Sequence, residues 1–378
     1  MKKIVGIIGA AAVLASSIFA ADVSAKVNLL GDLFSYGEYQ DWNAGGVWKK
    51  NITAIGIAEG GQSWNPSFSM TASGDQAGAS MKFFDSGATE AVSNINYSIW
   101  FKPIDILKIT VGNFTSGLSQ ETIDYSNGAT GIDSNGVALS LSSGGFNADV
   151  FLVSGWSSAN FGWDRVTKIN GWFTKADKAD PVIGETYIKL SYAIDGVGTI
   201  GAYADLNTNQ KYTDWGNGGV VVYCPGADFG VGYDNTFGNV KMFVNVLTGF
   251  DDDWNFGIVR AEAFATTNID ALGLSAFVVG GYATEKVKTD IAQDKLANVA
   301  GFGKGAFVGF TAKATYGING CTPYLYLKCD NALADSFSLE AKPGVAFNVG
   351  SCSLDVAVDL YIQEHFKFDV PVVCSVAF

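Results

Sequence analysis

Residues 366–378, at the carboxy end, constrain the fold more than any other stretch. Phe366, Phe368, Val370, Val372, Cys374, Val376 and Phe378 alternate with Lys367, Asp369, Pro371, Val373, Ser375 and Ala377. Successive side chains of a strand face opposite sides, so one face here is wholly apolar and the other polar or small. A soluble sheet can alternate in the same way. Length and position separate the two cases: this stretch is long enough to cross a bilayer when tilted, and it ends on an aromatic residue.

The pattern repeats upstream. Cys352, Leu354, Val356, Val358, Leu360 and Ile362 oppose Ser353, Asp355, Ala357, Asp359 and Tyr361; residues 337–349 and 321–329 alternate likewise, and the four stretches place every charge on one face. Strands of a sandwich usually run to about 5–6 residues, whereas these are longer. Further strands are expected at 26–36, 65–73, 77–84, 92–102, 106–114, 136–142, 146–153, 186–194, 199–206, 219–234, 240–248, 256–267, 272–283 and 302–316. A kink at Cys224-Pro225-Gly226 is expected to divide the tenth of these or leave it whole. Tight turns rich in Gly, Asn, Asp and Pro alternate with long links at 115–135, 154–185, 207–218, 249–255 and 284–301. Short turns on one rim and long loops on the other predict a closed antiparallel transmembrane β-barrel. The count is 18 strands if residues 37–62 form a loop, with 16 as the runner-up, and either width leaves an aqueous lumen.

With its terminal Phe378, the last stretch resembles the closing strand of bacterial outer-membrane β-barrels of the porin-like, Gram-negative or spirochaetal type. The resemblance implies that outer-membrane lipid surrounds the wall and that the barrel-assembly machinery recognises the strand ending in Phe378. The amino end agrees. Met1-Lys2-Lys3 precedes an uncharged apolar run from Ile4 to Ala20, which reads as a signal peptide within 1–25, cleaved after Ala20 or Ala25. No Cys follows that run closely, which argues against a lipoprotein. Residues 26–378 are then the barrel. Aromatic residues make up 13% of the chain, a content that suits interfacial girdles better than one soluble core.

A formal charge of −13 disfavours nucleic acid as a partner, because binding phosphates needs Lys and Arg. The expected pore-lining charges are Lys241, Arg260, Glu262, Lys313, Lys328, Glu340, Lys342, Asp355, Asp359, Lys367 and Asp369. Mixed signs facing water bias which solutes pass; pairing with one another to stiffen the wall is the competing role. Trp100, Tyr203, Tyr324, Tyr326 and Tyr361 share that face, as a sugar path or as filling. The long link 154–185 is a candidate constriction loop through Trp163, Asp164, Arg165, Lys168 and Trp172, or else lies on the rim.

Enzyme readings find little support. His365 is the sole histidine, no Gly-x-Ser-x-Gly elbow occurs, and no zinc-ligand spacing exists. Gly196-Val197-Gly198-Thr199-Ile200-Gly201 matches a dinucleotide-binding glycine pattern but runs from a turn into a strand instead of opening a helix. Asp251-Asp252-Asp253 lacks calcium-loop spacing. Cys321, Cys329, Cys352 and Cys374 fall on apolar faces and Cys224 on the kink, an odd total for an exported chain. The expectation is a porin-type channel for passive diffusion of small hydrophilic solutes or ions, without catalysis, cofactor or metal. A barrel whose outer loops bind a partner or act as an adhesin is the alternative, and homo-oligomerisation is open.

Overall fold

A computed structural model describes residues 22–41, 47–56, 65–85, 94–119, 131–154, 183–214, 220–251, 255–284, 305–329, 332–333, 338–363 and 366–377. Every regular element among them is a β-strand. In chain order these are β1 (Asp22–Asp41), β2 (Val47–Gly56), β3 (Asn65–Ser73), β4 (Ala77–Asp85), β5 (Asn94–Ile104), β6 (Leu107–Gly117) and β7 (Gly131–Ser143). There follow β8 (Phe146–Ser154), β9 (Ile183–Ile194), β10 (Gly198–Asp214), β11 (Val220–Phe237), β12 (Val240–Asp251), β13 (Phe256–Ile269) and β14 (Leu272–Ala283). The last are β15 (Gly305–Tyr316), β16 (Cys321–Cys329), β17 (Leu339–Val349), β18 (Cys352–Ala357), β19 (Asp359–Ile362) and β20 (Lys367–Ala377).

Neighbours in sequence pair antiparallel, and β20 returns to pair with β1 from Lys26↔Ala377 to Tyr36↔Phe368. The sheet is therefore closed. On its other edge β1 carries β3 along Asp22–Asn28 and β2 along Asp32–Asp41, so β2 and β3 occupy one place in the wall. β18 and β19 likewise form one crossing with continuous register against β17 and β20. The wall has 18 strands. Of residues 37–62, the described 37–41 extend β1 and 47–56 run back along it as β2, without adding a wall strand.

Several of the irregularities fall beside prolines. Pro lacks the N–H that a ladder needs. Val358 donates to Pro343 O at 2.9 Å, but Pro343 cannot donate in return, and the ladder lapses between β18 and β19. Pro371 faces Asp32, beside the bulge that shifts β1 between Asp32 and Ser35. The kink at Pro225 does not divide β11; the partner strand β10 bulges between Asn207 and Gln210 instead. The expected tight turns hold most of the adjacent strands together, and Gly144, Gly145, Gly196, Gly238, Gly320 and Gly350 take the positive φ that such reversals require.

Burial identifies the enclosed face. Along β13, Ile258, Arg260, Glu262 and Phe264 are buried while Val259, Ala261, Ala263 and Ala265 are exposed. Residues directly opposite share a face, so the registers carry this assignment round the wall. Outward positions include Ile99, Leu139, Leu190, Val244, Val278, Leu325 and Leu354, all exposed. Burying one such side chain contributes about 1.5–3 kcal/mol. Roughly ten left in water would outweigh the ~5–15 kcal/mol net stability of a folded domain, so this face requires lipid. Phe101, Phe146, Tyr192, Tyr316 and Phe347 are exposed on the outward face close to the tight turns, at the level of an interfacial girdle.

The lumen and its constriction

The enclosed face divides into two unlike halves. From β8 to β15 it carries Phe151, Tyr187, Tyr203, Phe243, Leu247, Ile258, Phe264, Phe277 and Phe307, all but fully buried. Tyr187 stacks on Tyr203 with ring centroids 5.6 Å apart, and Phe243 lies beside Phe264 at 5.5 Å. From β15 to β20 the same face is partly exposed and polar, and holds Lys313, Tyr324, Tyr326, Lys328, Glu340, Lys342, Asp355, Asp359, Tyr361, Lys367 and Asp369.

The apolar half packs against a segment that leaves the wall. After β6, Leu118 and Ser119 turn into the barrel and are held from several strands. Asn245 Nδ2 donates to Ser119 O at 2.9 Å, and Ser119 Oγ donates to Asp234 Oδ2 at 2.9 Å. Lys189 Nζ donates to Gly117 O at 3.2 Å. Leu118 lies against Gly201 and Gly232, where an added Cβ would meet its side chain. Behind Asn245 stands a buried pair: Arg260 Nη2 is 2.9 Å from Glu262 Oε2, and Glu262 Oε1 accepts from Asn245 at 2.8 Å. A buried ion pair contributes little net stability over an apolar substitute, but removing one partner costs about 3–5 kcal/mol. Its effect here is to fix the amide that holds Ser119.

Beside this segment opens a cavity of about 440 Å³, bordered by Lys108, Phe114, Ser116, Ser140, Asp149 and Lys189. Asp149 accepts from Ser116 at 2.7 Å and pairs with Lys189 at 3.1 Å. The Lys108 ammonium stands 5.3 Å from the Trp100 ring centroid.

No family profile and no curated protein sequence matches the chain. Its backbone nevertheless superposes on solved outer-membrane proteins over nearly their whole length. Pseudomonas aeruginosa OccK9 (OpdG) matches with TM-score 0.54 at 11% identity, covering 95% of this chain and 98% of that one. OpdK of the same organism, crystallised with vanillate, gives 0.54 at 10%, covering 94% and 98%. A BenF-like porin from Pseudomonas fluorescens Pf-5 gives 0.53 at 10%, covering 94% and 98%.

The chain has the fold of a porin-like outer-membrane β-barrel.

One of the solved barrels it resembles is described as a porin. In this barrel the eleven candidate lining charges all occupy inward register positions, but their surroundings differ. Arg260 and Glu262 are buried beneath the apolar half and face each other. Lys241 is exposed beside the turn between β11 and β12. The remaining eight form the polar half described above. The loop candidates Trp163, Asp164, Arg165, Lys168 and Trp172 lie outside the described residues, as do His365 and Phe378. Tyr203 fills space within the apolar half, whereas Trp100 lies flat over Gly78. No metal-holding group of three or more His, Cys, Asp or Glu occurs among the described residues.

Sequence reasoning missed the charges and amides of the first half. Asp149, Lys189, Asp205, Asp228 and Asp234 all stand at inward positions of strands that the alternation had already located, so the same parity rule reaches them. Leu118 and Ser119 carry no such signal. Their role comes from contacts with residues more than 100 positions away.

Proposed function

We propose that this porin lets small hydrophilic solutes and ions diffuse passively across the outer membrane. The observation that carries the reading is the pinned segment 117–119 inside a closed wall, beside a water-accessible cavity lined by both signs of charge. Such an arrangement narrows a pore without sealing it and sets the local field through which a solute passes. OpdK, similar in fold, was crystallised with vanillate, a small organic solute, which agrees with solutes of that size. Export by a cleaved leader and insertion by the assembly machinery through β20 belong to the same reading.

Planar-bilayer recording of the refolded protein tests it. Stable ohmic steps are expected. Combining Asn245→Ala with Asp234→Ala removes both side chains that hold Ser119, and the steps should become larger and noisier. A protein that inserts yet never conducts would shift the reading to a barrel that presents binding loops.

A further inference from the structure

The polar half of the lumen contains three like units, each with one Tyr ring, one Lys ammonium and one or two carboxylates. At the lowest, Lys313 Nζ lies 4.8 Å from the Tyr324 ring centroid and Tyr324 donates to Asp355 at 2.8 Å. In the middle, Lys342 Nζ lies 5.9 Å from the Tyr326 centroid and forms ion pairs with Asp359 and, at 3.2 Å, Glu340. At the highest, Lys367 Nζ lies 4.6 Å from the Tyr361 centroid and pairs with Asp369 at 3.2 Å. Tyr361 also donates to Asp359 at 3.2 Å, which joins the upper two units. Tyr324 and Tyr326 are two residues apart on β16, and Tyr361 stands two residues beyond Asp359, the partner of Lys342. Each step therefore climbs roughly 7 Å along the wall.

Within each unit the charges already have answers. The ammonium has a ring face beneath it, and the carboxylate has a Tyr hydroxyl or an ammonium beside it. A passing anion must compete with fixed carboxylates, and a passing cation with fixed ammoniums. Hydrogen-bonding capacity remains, because an ammonium has three donors and a carboxylate about four lone-pair sites. The rings are only partly buried and keep apolar surface open to the lumen. A solute that offers hydroxyl donors and acceptors on its edges, C–H surface on its faces and no net charge uses all of these together.

We propose that the Tyr324–Tyr326–Tyr361 track is a binding path for neutral polyhydroxylated solutes, sugars or short linear oligosaccharides. The inference rests on the channel reading and adds the solute class. A row of similar subsites lets a linear solute exchange one set of partners for the next without leaving the wall.

The test is interruption of ion current through the single refolded channel by maltotriose, benzoate or choline, added separately to one side. Maltotriose should block in a concentration-dependent way, more tightly than either ion. Tyr326→Ala should weaken maltotriose block about tenfold by removing ring surface. Tyr361→Phe keeps the ring and removes the hydroxyl, so it should retain part of the block; it serves as the comparison if the alanine variant fails to fold. Conducting channels that benzoate blocks and maltotriose does not would overturn the inference alone. Maltotriose block unchanged in both variants would also overturn it. A protein that never conducts would overturn the channel reading, and this inference with it.

Discussion

Several inward glycines act as seats for aromatic rings on the neighbouring strand. A Cβ at Gly78 would collide with Trp100, at Gly230 with Tyr203, at Gly281 with Phe307, and at Gly344 with Tyr324. Without a Cβ the ring lies flat on the wall instead of projecting across the lumen, and it covers the bare backbone beneath. The charges beside those rings can be tested directly. Lys342 balances Asp359 and Glu340, and Lys367 balances Asp369. In the Lys342→Gln, Lys367→Gln double variant these carboxylates lose their counter-charges on the lumen wall. The reversal potential in a salt gradient should then shift toward cation selectivity; an unchanged value would mean that ions do not pass this wall. The inward position of both lysines was legible from alternation alone. Their partners were not, because period two places a residue on a face but says nothing of which strand stands opposite.

At the scale of elements, most strands follow from alternation, and the differences lie at their ends. β10 was expected to stop at Leu206 but runs to Asp214, and β11 reaches Phe237. The extension of β10 continues past the polar Asn207–Gln210 bulge, where no apolar face marks it, whereas β11 is prolonged into the turn that joins it to Val240. The start of β1 carries a consequence for export. Asp22, Val23, Ser24 and Ala25 pair with Ser73, Ala72, Thr71 and Met70 of β3. Cleavage after Ala25 would remove four residues of this ladder beside the barrel seam, whereas cleavage after Ala20 leaves it whole. Amino-terminal sequencing of the protein purified from outer membranes should begin at Ala21; a start at Lys26 would refute this. Both sites were open in the sequence, since each follows small residues, and only pairing distinguishes them. The inward segment after β6 was the harder case. Its length suggested an ordinary outer link, and nothing local signals that Ser119 reaches Asp234 and Asn245.

At the scale of the whole molecule, closure governs stability. In lipid an unpaired strand edge has no hydrogen-bond partner, and the pairing of β1 with β20 closes the sheet. The thiols are compatible with that wall. Leu354 faces Cys374 while Cys352 faces Val376, so Cys352 and Cys374 are diagonal neighbours. A diagonal pair is separated by about 7–8 Å, beyond comfortable reach of a disulfide. Both remain thiols on the outward face, so no covalent link reinforces the seam. Resistance to unfolding must then come from the closed ladder itself. The intact protein should keep its compact, faster-migrating form in unheated dodecyl sulfate and lose it on boiling, with or without reductant. A chain ending at Phe366 lacks β20, leaves the edges of β1 and of β18 with β19 unpaired, and should migrate identically before and after heating. If that truncated chain still shows the heat-dependent shift, pairing of β1 with β20 is not what closes the barrel.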